Sequence, residues 1–156
     1  MTAGLVSDFL SQRRIAVVGV SRDAARHGAN AVYTRLRDRG YSVFAVNPNT
    51  EAVEGDRSYP DLRSIPGGVD GVVIATAPHR AEAIARECYD LGITRVWMHR
   101  GPVPGSVSPA AVGFCQTHGM SVIAGGCPLM YGPTADGLHR CMRWVLERTG
   151  AVPTGI

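Results

Sequence analysis

The 156-residue sequence has no cysteine pair spaced to hold a metal. Cys88, Cys115, Cys127 and Cys141 lie far apart and no CxxC occurs, which argues against a zinc module, and no metal ligands are expected. No apolar run approaches the about 18 residues of a membrane span. The opening segment, MTAGLVSDFLSQRR, puts its basic residues after the apolar stretch, the reverse of a secretory signal. A cytoplasmic protein with free thiols is therefore expected, with no membrane partner. Charged residues are only 19% of the chain and the net charge is +3. The arginines are scattered, without a basic patch interleaved with aromatics, which argues against a nucleic-acid partner. The 45% of hydrophobic residues is ordinary for a folded protein and argues against disorder. One domain over 1–156 is expected, with a core at 13–131 and a C-terminal helix at 135–148.

What the chain does have is alternation. A lead-in helix is expected over 3–11 and a β-branched apolar strand over 14–20. A helix over 30–39 stops at Gly40, and a second strand spans 41–46. Residues 51–66 read as irregular, with turn signals at Gly55, Pro60 and Pro66. A third strand at 71–75 leads into a helix over 79–91 with Ala83, Ile84, Cys88 and Leu91 on its apolar face. A fourth strand follows at 95–98. Ser108 caps a helix with Pro109 in its first position, ending near His118. A fifth strand lies at 121–124. The last helix is amphipathic, and Leu138, Cys141, Trp144, Val145 and Leu146 are expected in the core, as is Trp97. Short strands alternating with helices predict an α/β fold: a doubly wound, parallel, five-stranded sheet of order 3-2-1-4-5 in a three-layer sandwich. In such a sheet the strands' carboxyl ends share one edge, so the loops at 19–28, 47–50, 75–79, 98–102 and 125–128 should converge on a ligand.

The stretch RIAVVGVSRDAARHG is a strand, a small-residue loop from Gly19 to Gly28, and a helix start. Helix-start amides favour an anion, so a phosphate-bearing ligand is one reading and plain α/β topology the other. A dinucleotide fingerprint wants glycines at its first, third and sixth positions; here they are Gly19, Ser21 and Ala24. An acid for the ribose hydroxyls at the end of the second strand is also missing, replaced by Asn47 and Pro48. NAD is thereby disfavoured.

GVSRDAARHGANAVYTRLRDRGYSVFAVNPN, YPDLRSIPGGVDGVVIATAP, GITRVWMHRG and the Cys-Pro loop, in this order over 13–131, resemble the small stand-alone CoA-binding proteins. Those are similar to the amino-terminal Rossmann-type domain of the succinyl-CoA synthetase α subunit. The tail CPLMYGPTADGLHRCMRW resembles one subgroup of them. The resemblance implies coenzyme A as the ligand. It implies that Ser21, Arg22, Asp23 and Ala24 hold the phosphates, with Arg22 a ligand and Arg26 open between ligand and solvent. It implies an adenine-side wall at Asn47 and Pro48, and a nucleotide-lining loop at Thr76, Ala77 and Pro78. It further implies a pantetheine approach at His99, Arg100 and Gly101, and a place near the thiol end for Cys127. The chain departs from the synthetases at Thr50, where they carry Lys, and at Arg100, where they carry an acid.

No nucleophile, base and orienting group stand out by spacing, so no catalytic residue is assigned. The leading expectation is a protein that binds CoA or an acyl-CoA without chemistry of its own. A homodimer or an acyl-transfer partner protein is compatible with it. The alternatives are an NAD(P)-binding redox sensor, or a CoA-dependent enzyme or subunit using His99 and Cys127.

Overall fold

The computed structural model describes residues 2–23, 28–100, 105–132 and 135–149. Helix α1 (Thr2–Leu10) precedes strand β1 (Arg14–Val18), helix α2 (Gly28–Asp38) and strand β2 (Ser42–Val46). A hairpin of β3 (Ala52–Val53) and β4 (Asp56–Tyr59) follows, then β5 (Gly71–Ile74) and α3 (Pro78–Asp90). The chain continues through β6 (Arg95–Met98), α4 (Pro109–Thr117), β7 (Ser121–Ala124), a 3-10 turn at Pro128–Met130, and α5 (Gly137–Arg148). The architecture is a Rossmann-like, mostly parallel sheet flanked by helices.

Among the described residues the sheet has seven strands in the order β3-β4-β2-β1-β5-β6-β7, which corrects the expected five strands and the order 3-2-1-4-5. The third expected strand, β5, pairs with β1 on the side opposite β2, with Val17 beside Val73 and Ala45 in the two neighbours. The place beside β2 belongs to β4, in the segment read as irregular; Ala45 pairs with Ser58 and Val46 with Tyr59. Glu54 at φ 51° and Gly55 at φ 80° make a two-residue turn with both central residues left-handed, as a tight hairpin requires. Ala52 and Val53 then fold back on Arg57 and Asp56. β4 is short and half exposed, so its sequence DRSY carries no apolar run to announce a strand.

The central strands are apolar because both faces are covered. Val17, Val73, Trp97 and Ile123 face the core under α1, α2 and the 3-10 turn. Ala16, Ile74, Val96 and Met98 face the core under α3 and α4. Trp97 is fully buried, and its indole N–H donates to Gly125 O at 3.1 Å. Two helices differ from expectation. On α3, Cys88 is buried and Ile84 and the C-cap Leu91 pack half-buried against the same core as expected, but Ala83 is exposed and Ala81 and Ala85 are buried instead. On α5, Leu138 (69% exposed), Trp144 (54%) and Val145 (43%) lie on the surface, as does Cys141; Met142 and Leu146 pack on the core instead. Trp144 is covered on one side by the Arg148 guanidinium, 3.7 Å from its ring. No helix among the described residues is long and apolar enough to cross a membrane.

Candidate functional site

The sheet reverses direction at β1: β2 and β4 lie to one side, β5 and β6 to the other. Loops leaving the carboxyl ends of β1 and β5 must therefore part, and a crevice opens there. Two bonds bring the strand ends close before they part: Gly19 N–H donates to Val46 O at 3.0 Å, and Ala75 N–H to Val18 O at 2.9 Å. Gly19 has φ 109°, and a Cβ on it would lie 2.5 Å from Ala75 O. Only glycine permits this turn at this distance.

The crevice is a cleft of about 780 Å³. Gly19 and Ser21 form its first edge, Asn47, Pro48 and Asn49 the second, and Pro60, Asp61 and Leu62 the third. Thr76 and Ala77 lead into α3, which closes the cleft with Arg80, Ala83, Ile84 and Glu87. His79 also borders it.

Four side chains hold these edges in place. Asn30, buried in α2, accepts from Ser21 N–H at 2.9 Å and donates through Nδ2 to Ser21 O at 2.8 Å and to Glu54 Oε1 at 2.7 Å. Asn47 donates through Nδ2 to Val20 O at 2.8 Å and accepts from Asn49 N–H at 2.8 Å, tying the β1 and β2 loops together. Glu87 Oε1 accepts from Leu62 N–H at 3.0 Å. Asp61 accepts from both the N–H and the hydroxyl of Ser64, which holds its carboxyl below the usual carboxylate range. These polar groups mainly brace backbone, so they shape the cleft more than they offer free donors to a ligand.

Of the expected site residues, Gly19, Ser21, Asn47, Pro48, Thr76 and Ala77 come together in the cleft. The amides of Gly19 and Ser21 are already engaged, to Val46 O and Asn30 Oδ1. Arg22 and Asp23 are exposed beyond the edge, and Asp23 N–H donates to Ser21 Oγ at 3.1 Å. Thr50 lies outside the cleft and donates its hydroxyl to Ala52 O at 2.9 Å. Pro78 opens α3 and is exposed. Ala24, Arg26 and Gly101 lie outside the described residues.

His99, Arg100 and Cys127 are not among the residues that line the cleft. Arg100 N–H donates to Gly126 O at 2.9 Å, joining the loops after β6 and β7. The His99 ring lies against the start of α2, where a Cβ on Gly28 would be 3.4 Å from its Cε1. Burial lowers the His99 pKa, so the imidazole is neutral at pH 7. Cys127 is in the core with Trp97, Leu129 and Met130, and burial pushes its thiol up to about 11. A thiol held neutral in an apolar core is a poor nucleophile. No cluster of three or more metal-ligating side chains exists among the described residues.

Asn30, Asp61, His79, Arg80 and Glu87 belong to the site without having been singled out by motif or resemblance. A signal exists for the α3 residues: Arg80, Ala83, Ile84 and Glu87 follow i, i+3, i+4, i+7 spacing from the end of β5, which is one helix face at the sheet's ligand edge.

The chain resembles known proteins in sequence and in fold. Over 88 residues, 55% of its length, the chain is 31% identical to the ADP-forming acetate–CoA ligase II of Archaeoglobus fulgidus, of which it covers 13%. Over 89 residues it is 33% identical to the α subunit of the ADP-forming acetate–CoA ligase II of Pyrococcus furiosus, covering 56% of this chain and 19% of that one. The chain thus spans less than a fifth of these curated relatives. A solved structure of a hypothetical protein from Pyrococcus horikoshii OT3 superposes with a TM-score of 0.72 at 25% identity, over 80% of this chain and 84% of that one. Residues 13–133 match the sequence model described as "CoA binding domain", and these residues include every wall of the cleft; the chain belongs to the CoA binding domain family.

Proposed function

We propose that the chain binds coenzyme A or an acyl-CoA, with the adenosine end in the cleft between Gly19, the Asn47–Pro48 turn and the first turns of α3. It acts as a ligand-holding module for a partner that carries out acyl transfer. The observation that carries this reading is the cleft itself, placed at the reversal of the sheet and built wholly from residues of the family match. The relatives' names, acetate–CoA ligases, describe proteins of which this chain matches only a small part, which supports a binding role within a larger activity. The buried, protonated Cys127 supports binding over thiol chemistry.

The test is the unfolding midpoint with CoA, acetyl-CoA, NAD, NADP and ATP, each at equal excess. A ligand at 100 times its dissociation constant adds about 2.7 kcal/mol, or about 5–10 °C for a domain of this size. CoA and acetyl-CoA are expected to raise the midpoint by that amount and NAD to leave it unmoved. A shift with NAD and none with CoA overturns the proposal.

A further inference from the structure

We infer that Arg80 reads a phosphate monoester on the ribose of the bound nucleotide, and so makes the cleft selective for CoA over its dephospho form. The inference rests on the CoA reading above and adds to it a residue and a chemical group.

The chain contains no lysine; its strong cations are sixteen arginines. Among the described residues, Arg80 is the arginine that lines the cleft. Its position is set by helix geometry: Arg80, Ala83, Ile84 and Glu87 occupy one face of α3, and all four line the cleft. The two acids in the walls do not compete for it. Asp61 is engaged by Ser64, and Glu87 by the amides of Leu62 and Arg63. Among the described residues the Arg80 guanidinium makes no ion pair or hydrogen bond. A cation with five N–H donors and no counterion, on the wall of a cleft, suits a phosphate, which it can grip with two parallel bonds.

The ribose is the natural bearer of that phosphate. Nucleotide folds of this type place the ribose at the carboxyl end of the second strand, where an acid selects free hydroxyls and a nearby arginine accommodates a ribose phosphate. Here β2 ends at Val46 and the next residue is the neutral Asn47, with its amide committed to Val20 O and Asn49 N–H. That strand end therefore carries no acid to repel a phosphorylated ribose, and Arg80 supplies the positive charge on the α3 side of the same cleft. CoA carries a ribose 3′-phosphate and dephospho-CoA lacks it. NADP carries the same kind of group at the 2′ position.

Isothermal titration of wild type, Arg80→Gln and Arg80→Lys with CoA and with dephospho-CoA tests this. The wild type should bind CoA about ten- to a hundredfold more tightly than dephospho-CoA, the range expected of one charge-assisted contact. Arg80→Gln should lose that preference, keep the wild-type affinity for dephospho-CoA, and keep the wild-type melting temperature, because the residue is exposed. Arg80→Lys should recover part of the preference. Equal preference in wild type and Arg80→Gln overturns the inference while leaving the CoA reading standing. Wild type that binds neither form overturns both. NADP bound in preference to NAD, with CoA unbound, overturns the CoA reading and with it the inference that rests on it.

Discussion

Gly19→Ala is expected to lower the melting temperature by about 5–20 °C and to abolish binding in the cleft. Two independent effects act at this position. The backbone sits at φ 109°, outside both the right-handed region and the narrow left-handed well that non-glycine residues tolerate. The new methyl would also stand 2.5 Å from Ala75 O and 2.9 Å from Ala75 C, and both are backbone atoms of the adjoining strand end. Such atoms cannot rotate away, so β1 and β5 would have to separate. Strain of about 1–3 kcal/mol combines with an overpacking term of similar size, giving about 2–6 kcal/mol. Gly113→Ala is the control. It lies within α4 with nothing within 4 Å of its added methyl, and the change should stabilise by about 0.5–1 kcal/mol. Thermal unfolding of both variants decides the matter. Similar midpoints for the two would contradict the close approach of the strand ends.

Asn30→Asp is expected to destabilise by about 2–4 kcal/mol at pH 7 and by much less near pH 4–5. The two side chains have nearly the same shape. The introduced carboxylate would still offer an acceptor to Ser21 N–H, but the two donations from Nδ2, to Ser21 O and Glu54 Oε1, are lost. Where the amide now touches Glu54 at 2.7 Å, two carboxylates would face each other in a half-buried setting. Their repulsion and the burial of position 30 both favour the protonated acid, so the folded-state pKa of the pair rises above the unfolded value of about 4. The penalty is therefore fully present above the raised pKa and fades as pH falls through it. Wild type has no such pair, so the difference between the two proteins should shrink with acidification. Chemical denaturation across pH 4–8 measures it. A stability difference independent of pH would show that Asn30 does not couple the Ser21 loop to Glu54.

Much of the fold is legible in the sequence because its strongest signals are local. β1, β5 and β6 are short β-branched or apolar runs, and Gly40, Gly92 and Gly119 end helices at positive φ. Ser108 caps α4 through its hydroxyl, at 3.3 Å from Ala111 N–H. The hairpin of β3 and β4 escapes because its turn depends on Glu54 taking a left-handed conformation beside Gly55, which a non-glycine residue rarely does. With that hairpin unseen, β5 is assigned the place beside β2 and the expected strand order is wrong. The apolar stripe of α5 misleads in another way. Leu138, Cys141 and Val145 recur at helical spacing, and spacing alone identifies a face without identifying what lies against it. At the site, sequence resemblance points to loops, and the loops after β1, β2 and β5 do meet in the cleft. The bonds that tie Asn30 to Glu54 and Glu87 to Leu62 act across 24 and 25 positions of chain, where sequence patterns carry no signal.

Coenzyme A is expected to bind in the cleft at the reversal of the sheet. Titration of CoA into ¹⁵N-labelled protein, followed by amide chemical shifts, reads this directly. Saturable shifts are expected, concentrated at Gly19, Ser21, Asn49, Thr76, Ala77 and the first two turns of α3, with α5 and the carboxyl end of α4 unmoved. Shifts confined to the surface of α5, or no shifts at millimolar CoA, would contradict binding in the cleft.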